Sequence, residues 1–171
     1  MNPLTGDLPL HPALVHLPLG LSMGVPLLIV ALLLGRRWLS PAMVGLVAGL
    51  QALLFVGALV AQQAGQADEE RVEGAGVSEI ALEAHEEAAE AFIVLAGVTL
   101  LALAGAAALG RRTLALPALG VAAALSTVTL LQGVRVGHAG GELVYGTGGV
   151  STLAGLPTSG EGGEAEAEDD D

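Results

Sequence analysis

Four long, largely apolar runs dominate this chain of 171 residues. A helix crossing the hydrocarbon core of a bilayer needs about 20 consecutive apolar residues. The runs cover roughly residues 10–34, 41–62, 87–109 and 114–136. Between them the chain is punctuated by Gly35-Arg36-Arg37 and Gly110-Arg111-Arg112. Only 14% of residues are charged and 53% are hydrophobic, where soluble domains carry about 25% charge. The fold class expected is therefore an all-α integral membrane protein, a four-transmembrane-helix bundle spanning residues 1–156. The first run is not a cleaved signal: no positive charge precedes it, and its arginines follow it.

The arginines give an orientation. Arg36 and Arg37 lie in the first connection, Arg111 and Arg112 in the third. The positive-inside rule places both in the cytoplasm of a bacterial inner membrane. Both termini, and the connection over residues 63–86, then lie on the outer, periplasmic side. The formal charge of −12 is consistent with this arrangement, because the acids are segregated. One group runs from Asp68 to Glu90 and another from Glu161 to Asp171. Glu79, Glu83, Glu86, Glu87 and Glu90 recur at helical spacing, which predicts a helix running straight into the third span. The Gly/Glu/Asp-rich tail over 157–171 is expected to be disordered.

Several chemistries are excluded. There is no cysteine, hence no disulfide, iron–sulfur cluster or thiolate metal site. No basic patch with interleaved aromatics supports nucleic-acid binding. His85-Glu86-Glu87-Ala88-Ala89 lacks the second histidine of a zinc-protease helix. Leu82 stands where a di-iron bundle would need a glutamate. No chain of ionisable residues crosses the bilayer centre, so a proton relay is missing.

What remains is a set of histidines. His11 and His16 begin the first span, His85 lies at the third, and His138 follows the fourth. In the orientation above all four share the outer face. His11 and His16 are five residues apart, about 140° on a regular helix, so they do not face one point unless the chain turns between them. Pro12 and Pro18 offer such a turn. If only one ring is a ligand, His16 is preferred, because it shares a stripe with Gly20, Met23 and Leu27. Gln51 and Gln62 lie on a polar stripe of the second span. Ser126, Thr127, Thr129 and Gln132 mark the fourth. Such side chains either join helices or approach a site. Gly20 with Gly24, Gly97 with Ala104, and Gly133 with Gly137 allow close helix contact or make room for a flat cofactor. The run Gly137–Val150 reads as a glycine-rich turn, with Leu143, Val144 and Tyr145 re-entering the interface.

Imidazole is both a metal ligand and an axial ligand of haem. The leading expectation is a b-type haem for electron transfer at the outer face, with His16, His85 and His138 as the favoured ligands and His11 as a further candidate. Gln62 would stand just behind them. The alternatives are a transition metal ion on His16, His85 and His138, joined by Glu86, Glu87 or Glu142, or a structural subunit of a membrane complex with no cofactor. An electron-transfer or accessory protein fits better than a stand-alone enzyme. Its partners would be the bilayer, a periplasmic redox protein or a larger membrane complex.

The stretches HPALVHLPLG at His11–Gly20 and GGELVYGTGGV at Gly140–Val150 together resemble a bacterial four-span membrane family, domain of unknown function 2231. That family opens with HPxxVHFPIG and closes with GGxLVYxHGxGV, with a histidine at the start of its third span, here His85. The resemblance covers about residues 10–150. Leu17 replaces the family's phenylalanine, and Thr147 stands where the family often has histidine. The resemblance implies a four-helix membrane unit and no established activity.

Overall fold

The computed structural model describes residues 10–74, 78–109 and 112–146. They form a one-turn helix α1 (His11–Leu14) and four long helices: α2 (His16–Leu34), α3 (Pro41–Gly74), α4 (Glu79–Leu109) and α5 (Arg112–Gly141). A short 3-10 turn follows α2 at Arg36–Trp38, and a wide π turn follows α5 at Glu142–Gly146. No strand occurs among the described residues. Four helical stretches there are long and apolar enough to cross a membrane, and at most a third of each is buried inside the bundle. Leu27, Leu34 and Leu101 are among the large apolar side chains left facing outward, as expected where lipid is the solvent.

The helices pack as a closed ring. Each touches its sequence neighbours, and α2 closes onto α5; α1 lies on α3. Local sequence explains the ends. Ser40 Oγ accepts the backbone N–H of Met43 at 3.2 Å, and Pro41 opens the first turn of α3. At the same end of the bundle the Arg37 guanidinium stacks over Trp38, 4.8 Å from the ring centroid.

Two apolar layers fill the interior. The one towards the arginine end includes Val25, Ile29, Leu32, Val44, Val47, Leu103 and Leu119. The other, towards the histidine end, is built on Leu54, Ala58, Phe92 and Ala96. Polar groups cross between them, each satisfied. Gln51 Nε2 donates to the Ala96 carbonyl at 2.9 Å. Thr99 and Thr129 share a hydroxyl–hydroxyl bond at 3.1 Å. Nearer the rim, Gln132 Nε2 donates to the Ala88 carbonyl at 3.0 Å. These side chains join helices. In a membrane such bonds contribute about 0.6 to 2 kcal/mol each.

Two helices run further than their apolar runs. The second extends past Gln62 to Gly74, and the third begins at Glu79. Residues 79–86 thus form the helix expected to lead into the third span, and residues 63–74 add an extension of α3 that hydropathy does not announce. Their Ala, Gln and Glu content explains this, because these are strong helix formers whatever their polarity. The glycine-rich run after Val136 does not make a tight turn either: α5 continues through Gly137 and Gly140 to Gly141. Helical glycine costs about 1 kcal/mol relative to alanine. Packing offsets that cost, since Gly133 and Gly140 each receive an aromatic ring from α4. The expected tail over 157–171 and Thr147 lie outside the described residues.

Candidate functional site

The site is at the end of the bundle where α1 begins and α5 finishes. His11 turns inward from α1. Its Nδ1 lies 2.7 Å from the Ala61 carbonyl of α3. A carbonyl only accepts, so Nδ1 carries the proton and the lone pair is left on Nε2. Across from it stands His85 of α4. The two ring centroids are 6.0 Å apart and the planes are almost perpendicular, at 87°. Nδ1 of His85 is buried and meets no hydrogen-bond partner among the described residues. The ring also lies beside the backbone of Val136.

Each ring rests on a glycine of another helix. A Cβ at Gly65 of α3 would come 3.0 Å from His11 Nδ1. A Cβ at Gly140 of α5 would come 3.1 Å from His85 Cε1. The pair therefore draws on four helices at this end: α1 and α4 supply the rings, α3 and α5 the surfaces behind them.

The other two histidines point elsewhere. His16 is exposed. It shares its face with Gly20, Met23, Leu27 and Leu34, all of them exposed, so the stripe that favoured His16 is the outward face of α2. Physical spacing explains the reversal. His11, Pro18, Val25 and Leu32 recur every seven residues, about two helical turns, and the last three are buried. The chain passes from α1 to α2 at Val15, one turn ahead of Pro18, which has no N–H to give to Leu14. The break does not turn both rings inward; it leaves His11 on the Pro18 face and His16 away from it. His138 is likewise outward, 78% exposed at its side chain, and pairs with Glu142 at 3.3 Å. Gln62 is half-buried beside Ala61.

The expected space for a flat cofactor at Gly97 and Gly133 is filled. Phe55 lies against Gly97 and Phe92 against Gly133, with a Cβ reaching ring carbons at 3.2 and 3.1 Å. At Gly20, Gly24 and Gly137 no atom stands within 4 Å of a Cβ, so these are not close helix contacts within the bundle. Sequence reasoning missed Gly65, Gly140 and the Ala61 carbonyl. The available signal was a single glycine, Gly65, inside a run of strong helix formers, where only a close approach accounts for it. Among the described residues no group of three or more His, Asp or Glu side chains is arranged to hold a metal ion.

The first histidine of the opening stretch thus meets the first glycine of the closing stretch through His85. The family model described as "Predicted membrane protein (DUF2231)" matches residues 7–152. The chain belongs to this family. No curated protein and no solved structure gives a match. As a member, this protein is a multi-pass membrane protein held in a lipid bilayer, and the family's description goes no further.

Proposed function

We propose that this DUF2231 member is an electron-transfer protein whose His11 and His85 are axial ligands of a b-type haem. The observation that carries the reading is the imidazole pair itself. The two rings come from different helices, meet at one end of the bundle with centroids 6.0 Å apart, and would be the residues that hold such a group. The donor set points the same way. A porphyrin supplies four ligands and leaves two for the protein, and two inward rings are what this end of the bundle offers. A non-haem ion on protein ligands alone would want a third or fourth group, and the described residues supply none in reach.

The residues divide the work. The Ala61 carbonyl holds His11 in the tautomer that frees Nε2, the usual device for orienting a ligating imidazole. His85 brings a buried nitrogen that lacks a partner among the described residues. When bound, haem supplies a one-electron couple. The arginine pairs in the first and third connections of the sequence support, by the positive-inside rule, a periplasmic position for the pair, in a bacterial inner membrane. A periplasmic redox protein is then the fitting partner.

The test is the visible spectrum of protein purified in detergent from cells with ample haem, before and after reduction. A Soret band that sharpens on reduction is expected. It should be lost in His11→Ala and His85→Ala, and kept in His16→Ala and His138→Ala. A wild-type protein with no Soret band overturns the reading, and the two rings are then packing elements of a structural subunit.

A further inference from the structure

We propose that Gly65 is a positioning residue for the His11 ligand: its missing side chain lets the ring lie on α3 and donate Nδ1–H to Ala61. Its effect on a redox potential rests on the haem-binding reading, whereas its effect on the tautomer of His11 does not. In an α-helix the Ala61 carbonyl already accepts the N–H four residues on, which is that of Gly65 itself. The imidazole therefore uses the carbonyl's second lone pair. It must approach alongside the residue where a Cβ would stand. That Cβ would lie 3.0 Å from Nδ1, 3.2 Å from Cε1 and 3.7 Å from Cγ. The first two are tighter than ordinary van der Waals contact, and both fall on the edge of the ring that makes the bond.

The relief available is movement of the ring. α1 is a single turn, while α3 is a long packed helix, so the small element yields. With alanine at 65 the ring must give way by a few tenths of an ångström, which stretches its 2.7 Å bond to the Ala61 carbonyl and weakens the hold on the tautomer. An imidazole with a weaker bond at Nδ1–H is a weaker donor to a metal. A weaker axial donor stabilises the oxidised iron less, and the midpoint potential rises. Gly133 is the matched control. A Cβ there would be as close to the Phe92 ring, 3.1 Å, as the one at Gly65 is to His11, but the contact involves no imidazole.

Two readouts decide the matter in the full-length protein in detergent. Nitrogen-15 NMR of histidine-labelled protein without cofactor reads the tautomer. Redox titration of the haem-loaded protein reads the potential. Wild type and Gly133→Ala should show His11 protonated at Nδ1, and Gly65→Ala should show a smaller share of that tautomer. The potential should move upward in Gly65→Ala and stay in place in Gly133→Ala. A Gly65→Ala protein that keeps both the tautomer and the potential overturns the proposal, as does an equal shift in Gly133→Ala. If Gly65→Ala fails to fold, the double variant with His11→Ala should recover folding, since the clash is with that ring; no recovery is also an overturning result. The NMR arm stands without haem, so failure of the haem reading is told apart from failure at Gly65.

Discussion

The bundle uses one packing device at two depths. In the interior, Phe55 lies against Gly97 and Phe92 against Gly133. At the rim, His11 lies against Gly65 and His85 against Gly140. All four contacts press a ring onto bare helix backbone at nearly the same distance. The difference lies in what each ring asks of its surroundings. A phenyl ring is satisfied by close packing alone. An imidazole brings one N–H and one lone pair, and each costs free energy if it is buried without an answer. The His11 N–H is answered by Ala61. The Nδ1 of His85 is not answered among the described residues. At position 85 packing alone would be served as well by phenylalanine, whereas at position 11 the imidazole adds a bond that phenylalanine cannot make.

The largest effect should come from emptying an interior contact. Phe92→Ala removes a buried ring from the layer of Leu54, Ala58 and Ala96, at about 3 to 5 kcal/mol. Reversible unfolding in mixed micelles measures it. A loss under about 1 kcal/mol would mean that α4 and α5 close the gap freely, and the tight fit at Gly133 would carry no weight. A smaller loss is expected at the polar layer. Thr99→Val leaves Thr129 without its hydroxyl partner and should lower stability by about 0.6 to 2 kcal/mol. The spectrum should not change, because that layer lies deeper than the histidine pair.

Turning one kind of ring into the other separates packing from chemistry. His85→Phe deletes the orphaned nitrogen together with the ring's backbone bond at Val136, and keeps the packing on Gly140. The loss and the gain offset each other, so the variant without cofactor should be about as stable as wild type, while the Soret band is lost. His11→Phe should instead lose about 1 kcal/mol, since it gives up the bond to Ala61. Thermal unfolding of both variants without cofactor distinguishes them. If His85→Phe is the more destabilised of the two, the orphaned Nδ1 has a partner in solution and the reading of that ring fails.

Much of the architecture was legible because lipid imposes so simple a rule. Four apolar runs become four helices long enough to span, and the resemblance carried by the two end motifs is upheld by the family match. What lay beyond the apolar runs was not legible in hydropathy. The extension of α3 to Gly74 depends on helix propensity in polar sequence. The course of α5 through its glycines depends on rings arriving from α4. The choice between His11 and His16 was present in the sequence as a seven-residue spacing through Pro18, Val25 and Leu32. It was hidden because an outward apolar stripe looks the same as an inward one when the solvent is lipid. Only the buried small polar residue Ser22 marks the inner face of α2.

The smallest expected effect tests the outward histidine. His138 and Glu142 are four residues apart on the last turn of α5 and the start of the π turn, and both side chains are more than half exposed. Exposed pairs of this kind contribute about 0 to 1 kcal/mol, and only while the ring is protonated. His138→Ala should therefore change stability by no more than about 0.5 kcal/mol. The haem spectrum should be that of wild type, because nothing on the outer face of α5 reaches the His11–His85 pair. The outcome to look for is a partial loss of haem in this variant alone. It would mean that the last turn of α5, which carries His138, rearranges inward when the pair is loaded, and that the rim has a third imidazole rather than two.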